Sequence, residues 1–121
     1  MKEQLIELET AILAKEKGFD LDANYAYNPI SGKLLDENTV YSHTIGDGKE
    51  PIEAPTQSLL QKWLREEFGI YVQVTIIDEQ HFEVSVWVRC DDVCHELASF
   101  VLKSCFEQAL EKGLQRALKE I

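Results

Sequence analysis

The sequence predicts an α+β fold, with helices packed on one face of a largely antiparallel sheet in the order α-β-β-α-β-β-β-α. Three observations point there. Residues 70–77 and 82–89 are neighbouring runs in which apolar and polar side chains alternate. Residues 56–68 and 106–121 carry apolar stripes at helical spacing. Ser104-Cys105-Phe106-Glu107 has the Ser-x-x-Glu form of a capping box, which divides residues 91–121 into a strand followed by a helix. With 121 residues and 45% hydrophobic side chains, the chain reads as one domain spanning 1–121.

The elements follow in order. Leu5, Leu8 and Ile12, widened by Ile6 and Leu13, predict a helix over 2–17. Glu3, Glu7 and Glu9 stand at its start and Lys15 and Lys17 at its end, as the helix dipole favours. Gly18 is placed to stop it in the left-handed conformation. Residues 19–55 are less regular. Tyr25–Tyr27 and Leu34–Tyr41 are expected to form a loose hairpin around the turn-forming run Asn28-Pro29-Ile30-Ser31-Gly32-Lys33. Gly46, Asp47, Gly48 and Pro51 mark a loop that continues to Ala54.

Pro55-Thr56 opens the second helix, with Thr56 able to cap it. Its apolar stripe is Leu59, Leu60, Trp63, Leu64 and Phe68, and Gly69 ends it. The even residues of 70–77 and 82–89 are all apolar, and β-branched side chains dominate, so both runs are half-buried strands. The short Asp78-Glu79-Gln80-His81 connection makes them an antiparallel pair. Leu97–Lys103 is expected as a third strand. The last helix carries Phe106, Ala109, Leu110, Leu114, Ala117, Leu118 and Ile121 on one stripe. Gly113 inside it costs about 1 kcal/mol against alanine, which close packing on the sheet would justify.

Charge restricts the function classes. Twelve basic and 22 acidic side chains give a net charge of −10 and exclude generic nucleic-acid binding, which needs Lys and Arg against phosphate. The α-β-β-β-α order of residues 56–121 is similar to that of double-stranded-RNA-binding domains. Those need basic residues near the final helix, and here it opens Ser104-Cys105-Phe106-Glu107. No apolar run is long enough for a membrane helix, and no secretory leader is recognised, so a cytoplasmic setting is expected. The odd cysteine count agrees with reduced thiols.

No nucleotide-binding, hydrolase or metalloprotease motif occurs, and no cofactor is implied. The acidic pairs Asp36-Glu37, Glu66-Glu67 and Asp91-Asp92 and the single histidines His43, His81 and His95 read as surface or turn residues. Cys90, Cys94 and His95 are the chemical alternative: half of a metal site, or the thiol and base of a small enzyme. The more general expectation is a protein that acts by protein–protein interaction, with acidity that imitates nucleic acid toward a basic partner. Alternation places Tyr71, Ile77 and Trp87 on the sheet face away from the helices, where they are large for bare solvent. Either the 25–41 hairpin or the N-terminal helix covers them, or they form a contact surface, with a two-fold homodimer as the simplest case.

Three phrases carry a resemblance: Ala14-Lys15-Glu16-Lys17-Gly18-Phe19; Ala54-Pro55-Thr56-Gln57-Ser58-Leu59-Leu60-Gln61-Lys62-Trp63-Leu64-Arg65-Glu66; and Glu107-Gln108-Ala109-Leu110-Glu111-Lys112-Gly113-Leu114. In this order the chain resembles a family of small uncharacterised proteins from phages, prophages and mobile elements of Bacteroidetes. The resemblance implies a bacterial cytoplasmic setting and a phage origin, with no activity or site residues to carry over. It also implies a strand before the last helix. Cys90 to His95 departs from the family's pattern.

Overall fold

The computed structural model describes residues 4–21, 25–28, 31–35 and 52–121. It contains the predicted elements as α1 (Leu8–Glu16), β1 (Ala26–Tyr27), β2 (Leu34–Leu35), α2 (Gln57–Phe68), β4 (Ile70–Ile76), β5 (His81–Cys90), β6 (Val93–Lys103) and α3 (Phe106–Lys119). One further short strand, β3 (Ile52–Glu53), lies where a loop was expected. The fold is α+β with antiparallel sheets throughout. The chain divides into two compact units, residues 1–56 and 57–121.

In the first unit, α1 is shorter than predicted because the chain before it is used in pairing. Leu5 bridges to Thr56, and the Ile6 N–H donates to the Pro55 carbonyl at 3.0 Å. The helix buries Thr10, Ala11 and Ala14 rather than the expected leucine–isoleucine stripe, and Ile12 is 40% exposed. Small side chains fill the buried side, a pattern that hydrophobic periodicity does not register. The stop is as expected. Gly18 has φ +91°, its N–H donates to the Lys15 carbonyl, and the Phe19 N–H donates to the Ala14 carbonyl, which together make a Schellman motif. Strand β1 lies between β2 and β3, pairing Ala26 with Leu35 and with Glu53. The Asn28 N–H donates to the Lys33 carbonyl, and the Asn28 side chain accepts from the Ser31 N–H. The Tyr27 hydroxyl donates to the Ile6 carbonyl at 2.7 Å. The expected strand from 36 to 41, the loop 46–51 and His43 lie outside the described residues.

In the second unit, β5 is central in the order β4-β5-β6. Helix α2 packs over β4, and α3 over β4 and β5. Leu60, Trp63, Leu64, Ile70, Val72, Phe82, Val84, Val86, Ala109, Leu110, Leu114 and Leu118 are buried. Gly113 sets the approach of α3 to the sheet: a Cβ there would stand 2.6 Å from Val72 Cγ1 and 2.7 Å from Val84 Cγ1. The expected apolar face is therefore present, with two corrections at its margin. Ile76, the last residue of β4, is 70% exposed. Phe106 is 46% exposed and touches Phe82 edge-on, with ring centroids 6.4 Å apart.

The break at Ser104 is real, but its cause differs from the expectation. The N-cap of α3 is Cys105, without a side-chain cap, and the Ser104 hydroxyl donates to the Cys105 carbonyl at 3.1 Å. The strand before it begins four residues earlier than expected, at Val93 rather than Leu97. Asp91-Asp92 forms a two-residue hairpin turn with Asp91 at φ +53°, a conformation that aspartate tolerates. The ladder shifts between Val86 and Trp87, whose partners are Ala98 and Glu96, so Leu97 is the extra residue of a β-bulge.

Candidate interaction face

Period two gives the sheet of the second unit an outer face, away from α2 and α3. Register places Tyr71 opposite Trp87, Gln73 opposite Ser85 and Thr75 opposite Glu83. On the other side of β5, Trp87 stands opposite Glu96, Ser85 opposite Ser99, Glu83 opposite Val101 and His81 opposite Lys103. Gln73, Thr75, Glu83, Ser99 and Val101 are exposed, so this part of the face is open to solvent. Tyr71 and Trp87 are half-buried neighbours at the centre of its aromatic end, and Ser85 beside them is buried. The Trp87 indole Nε1 is buried and has no hydrogen-bond partner among the described residues. Such a donor costs free energy until an acceptor meets it, and native structures hold few of them.

Ile77 does not join this pair. Strand β4 ends at Ile76, and Ile77 lies in the turn, 51% exposed, with its N–H donating to the His81 carbonyl. Six residues separate it from Tyr71, roughly 20 Å along an extended strand. The turn is held by Asp78, whose carboxylate accepts from the N–H groups of Gln80 and His81 at 2.9 Å and lies 2.8 Å from His81 Nδ1. The Gln80 N–H and then the His81 side chain hold the Asp78 carboxyl below the usual carboxylate range.

The charges of the outer face cancel. Glu83 and Glu96 are balanced by Arg89 and Lys103. The acidity of the chain therefore lies elsewhere, in part on the exposed sides of the helices at Glu66, Glu67, Glu107 and Glu120.

The cysteine–histidine alternative does not converge. Cys94 is paired with Arg89 on the outer face, whereas Cys90 pairs with Val93 and His95 with Val88 on the opposite face. Zinc ligands must all reach within about 2.0–2.3 Å of one ion, and the sheet separates these. Among the described residues, no three His, Cys, Asp or Glu side chains are placed to hold a metal ion. All three cysteines are exposed free thiols, and Cys105 stands apart at the start of α3.

Sequence reasoning missed a buried polar pair. The Gln57 amide donates to the Glu111 carboxylate at 2.9 Å and to the Glu107 carbonyl at 2.8 Å, and both side chains are buried. The signal was present: Gln57 shares a helix face with Leu60 and Leu64, and Glu111 lies next to Leu110 and Leu114. No family model, curated protein or solved structure matches the chain. No helix among the described residues is long and apolar enough to cross a membrane.

Proposed function

We propose that this protein acts by protein–protein contact, through the outer sheet face around Tyr71 and Trp87, in a bacterial cytoplasm and with a phage or mobile-element origin. The observation that carries the reading is the Tyr71–Trp87 pair itself. Two half-buried aromatic side chains stand directly opposite each other on an otherwise largely polar face, and the indole donor of one is buried with no hydrogen-bond partner among the described residues. Aromatic side chains on a polar surface are favoured anchors of interfaces, because they bury much area at little entropic cost. The phrase resemblance of residues 14–19, 54–66 and 107–114 supports the setting.

The partner this face suits is a protein with an apolar pocket for the exposed parts of the Tyr71 and Trp87 rings. Electrostatic imitation of nucleic acid would instead use the acidic helix surfaces, since the outer face has no net charge. The test is affinity capture from a bacterial host lysate with wild type and Trp87→Glu compared side by side at low and moderate salt. A protein held by wild type, lost on Trp87→Glu and little affected by salt supports the reading. Identical capture by both refutes the aromatic anchor. Capture that disappears with salt and ignores Trp87→Glu moves the function to the acidic surface.

A further inference from the structure

Strand β6 is an edge strand, and among the described residues its only partner is β5. The other edge is shorter and partly occupied: β4 has seven residues, and its Val72 carbonyl accepts from the Gln61 side chain at 2.8 Å. Strand β6 has 11 residues, and its Leu97-Ala98-Ser99-Phe100-Val101-Leu102 stretch carries no charge, no proline and no glycine. Natural sheets usually protect such an edge with charges or proline, because its free N–H and C=O groups template another strand. Here the charges are confined to the two ends, Glu96 and Lys103. Ala98, Phe100 and Leu102, on the helix-facing side, are only half-buried, since α3 packs over β4 and β5 rather than the edge.

We propose that β6 pairs with β6 of a second copy of this chain, antiparallel and centred on Phe100, to make a continuous six-stranded sheet. The register follows from the faces and the charges. In an antiparallel pair, opposed residues lie on the same face, and the Leu97 bulge shifts the alternation by one. Counted through that bulge, a two-fold axis at Phe100 sets Leu102 against the partner's Ala98 and Val101 against the partner's Ser99. It also sets Lys103 against the partner's Glu96, twice, once at each end of the uncharged stretch. Centring on Ser99 instead sets Lys103 against Cys94, and centring on Val101 sets Lys103 against Ser99, so both lose the ion pairs. The bulge limits uninterrupted pairing to residues 98–102, which makes the association concentration-dependent. The two-fold axis stands perpendicular to the sheet, so both Tyr71–Trp87 pairs stay on one side. The dimer leaves that face free and does not depend on its function.

The test is solution mass by sedimentation or light scattering across a wide concentration range. Four proteins are compared: wild type, Glu96→Lys, Lys103→Glu and the charge-swapped double variant Glu96→Lys/Lys103→Glu. Wild type is expected to pass from monomer to dimer. Each single variant places like charges opposite at both ends and weakens the dimer about tenfold, and the double variant restores it. Circular dichroism checks that each variant is folded, and the exposed Glu83→Lys provides a folded control of equal charge change. Trp87→Glu should leave the dimer intact. A wild type that stays monomeric at every concentration overturns the proposal, including the case in which β6 takes a strand from another protein. A dimer that ignores both single variants, or that Trp87→Glu dissolves, overturns it as well.

Discussion

Replacing Gly113 with alanine sets two known effects against each other at one atom. In a helix, alanine is favoured over glycine by about 1 kcal/mol, so an isolated α3 would gain from the change. In the folded unit the new Cβ would meet Val72 Cγ1 at 2.6 Å and Val84 Cγ1 at 2.7 Å, against an ordinary carbon contact of about 3.5–4.0 Å. Neither methyl can swing aside easily. Both belong to β-branched side chains, stiff at χ1, on strands fixed by the ladder, and both residues are buried. Helix and sheet must therefore separate by up to about 1 Å, an overpacking cost of roughly 1–3 kcal/mol. Set against the helix-propensity gain of about 1 kcal/mol, the expected net effect is a loss of up to about 2 kcal/mol. In a urea titration, that moves the unfolding midpoint down by up to roughly 1 M at an ordinary slope. A double-mutant cycle with Val84→Ala locates the clash, since removing Cγ1 should recover at least about 0.5 kcal/mol of the Gly113→Ala cost. A Gly113→Ala protein more stable than wild type by about 1 kcal/mol, the full helix-propensity gain, would refute the close helix–sheet approach.

Leu110→Ala should lose about 2–5 kcal/mol in the same titration, because the side chain is buried under the sheet face and its removal leaves a cavity. Gln57→Ala removes hydrogen bonds to Glu111 and to the Glu107 carbonyl in a buried setting, for about 1–3 kcal/mol, and Gln57→Glu should not rescue it. Ser104→Ala should change stability by less than about 0.5 kcal/mol, since its hydroxyl binds a carbonyl rather than capping α3; a loss near 1 kcal/mol would restore the capping-box reading. Asp78 supplies a pH dependence. Its folded carboxyl sits below its unfolded value, so its contribution is complete above the unfolded value and disappears as pH falls through the folded one. Midpoints of wild type and Asp78→Ala measured from neutral to strongly acid pH should therefore converge on acidification, and a constant gap would contradict the turn geometry.

Most of the second unit was legible in the sequence because period and burial coincide there. Val72, Val84 and Val86 alternate, face the helices and are buried, and two glycines mark structural points, Gly69 at φ +65° and Gly113 under the sheet. Where period and burial part, the reading failed. Ile76 continues the apolar alternation and yet is exposed, and α1 buries Thr10 and two alanines while Ile12 faces water. Strand β3 is two residues long, too short for any alternation to show. Strand β6 starts at Val93 because of the Asp91 turn, and Val93-Cys94-His95-Glu96 has no apolar alternation to announce it. The candidate face was half legible. Tyr71 and Trp87 were placed on it by parity and paired by register, whereas Ile77 fell in the turn that the Asp78 side chain organises. The Cys90–Cys94–His95 grouping looked close in sequence and is divided by the sheet, a separation that spacing alone shows once the strand is known.

Site-specific photo-cross-linking in cells tests outer-face contact most directly. A benzoylphenylalanine at Gln73, exposed beside the Tyr71–Trp87 pair, is compared with one at Lys112, exposed on α3. Contact through the outer face predicts a cross-linked adduct to another polypeptide from position 73, lost on Trp87→Glu, and none from position 112. An adduct from 112 alone, or equal adducts from 73 with and without Trp87→Glu, would contradict it.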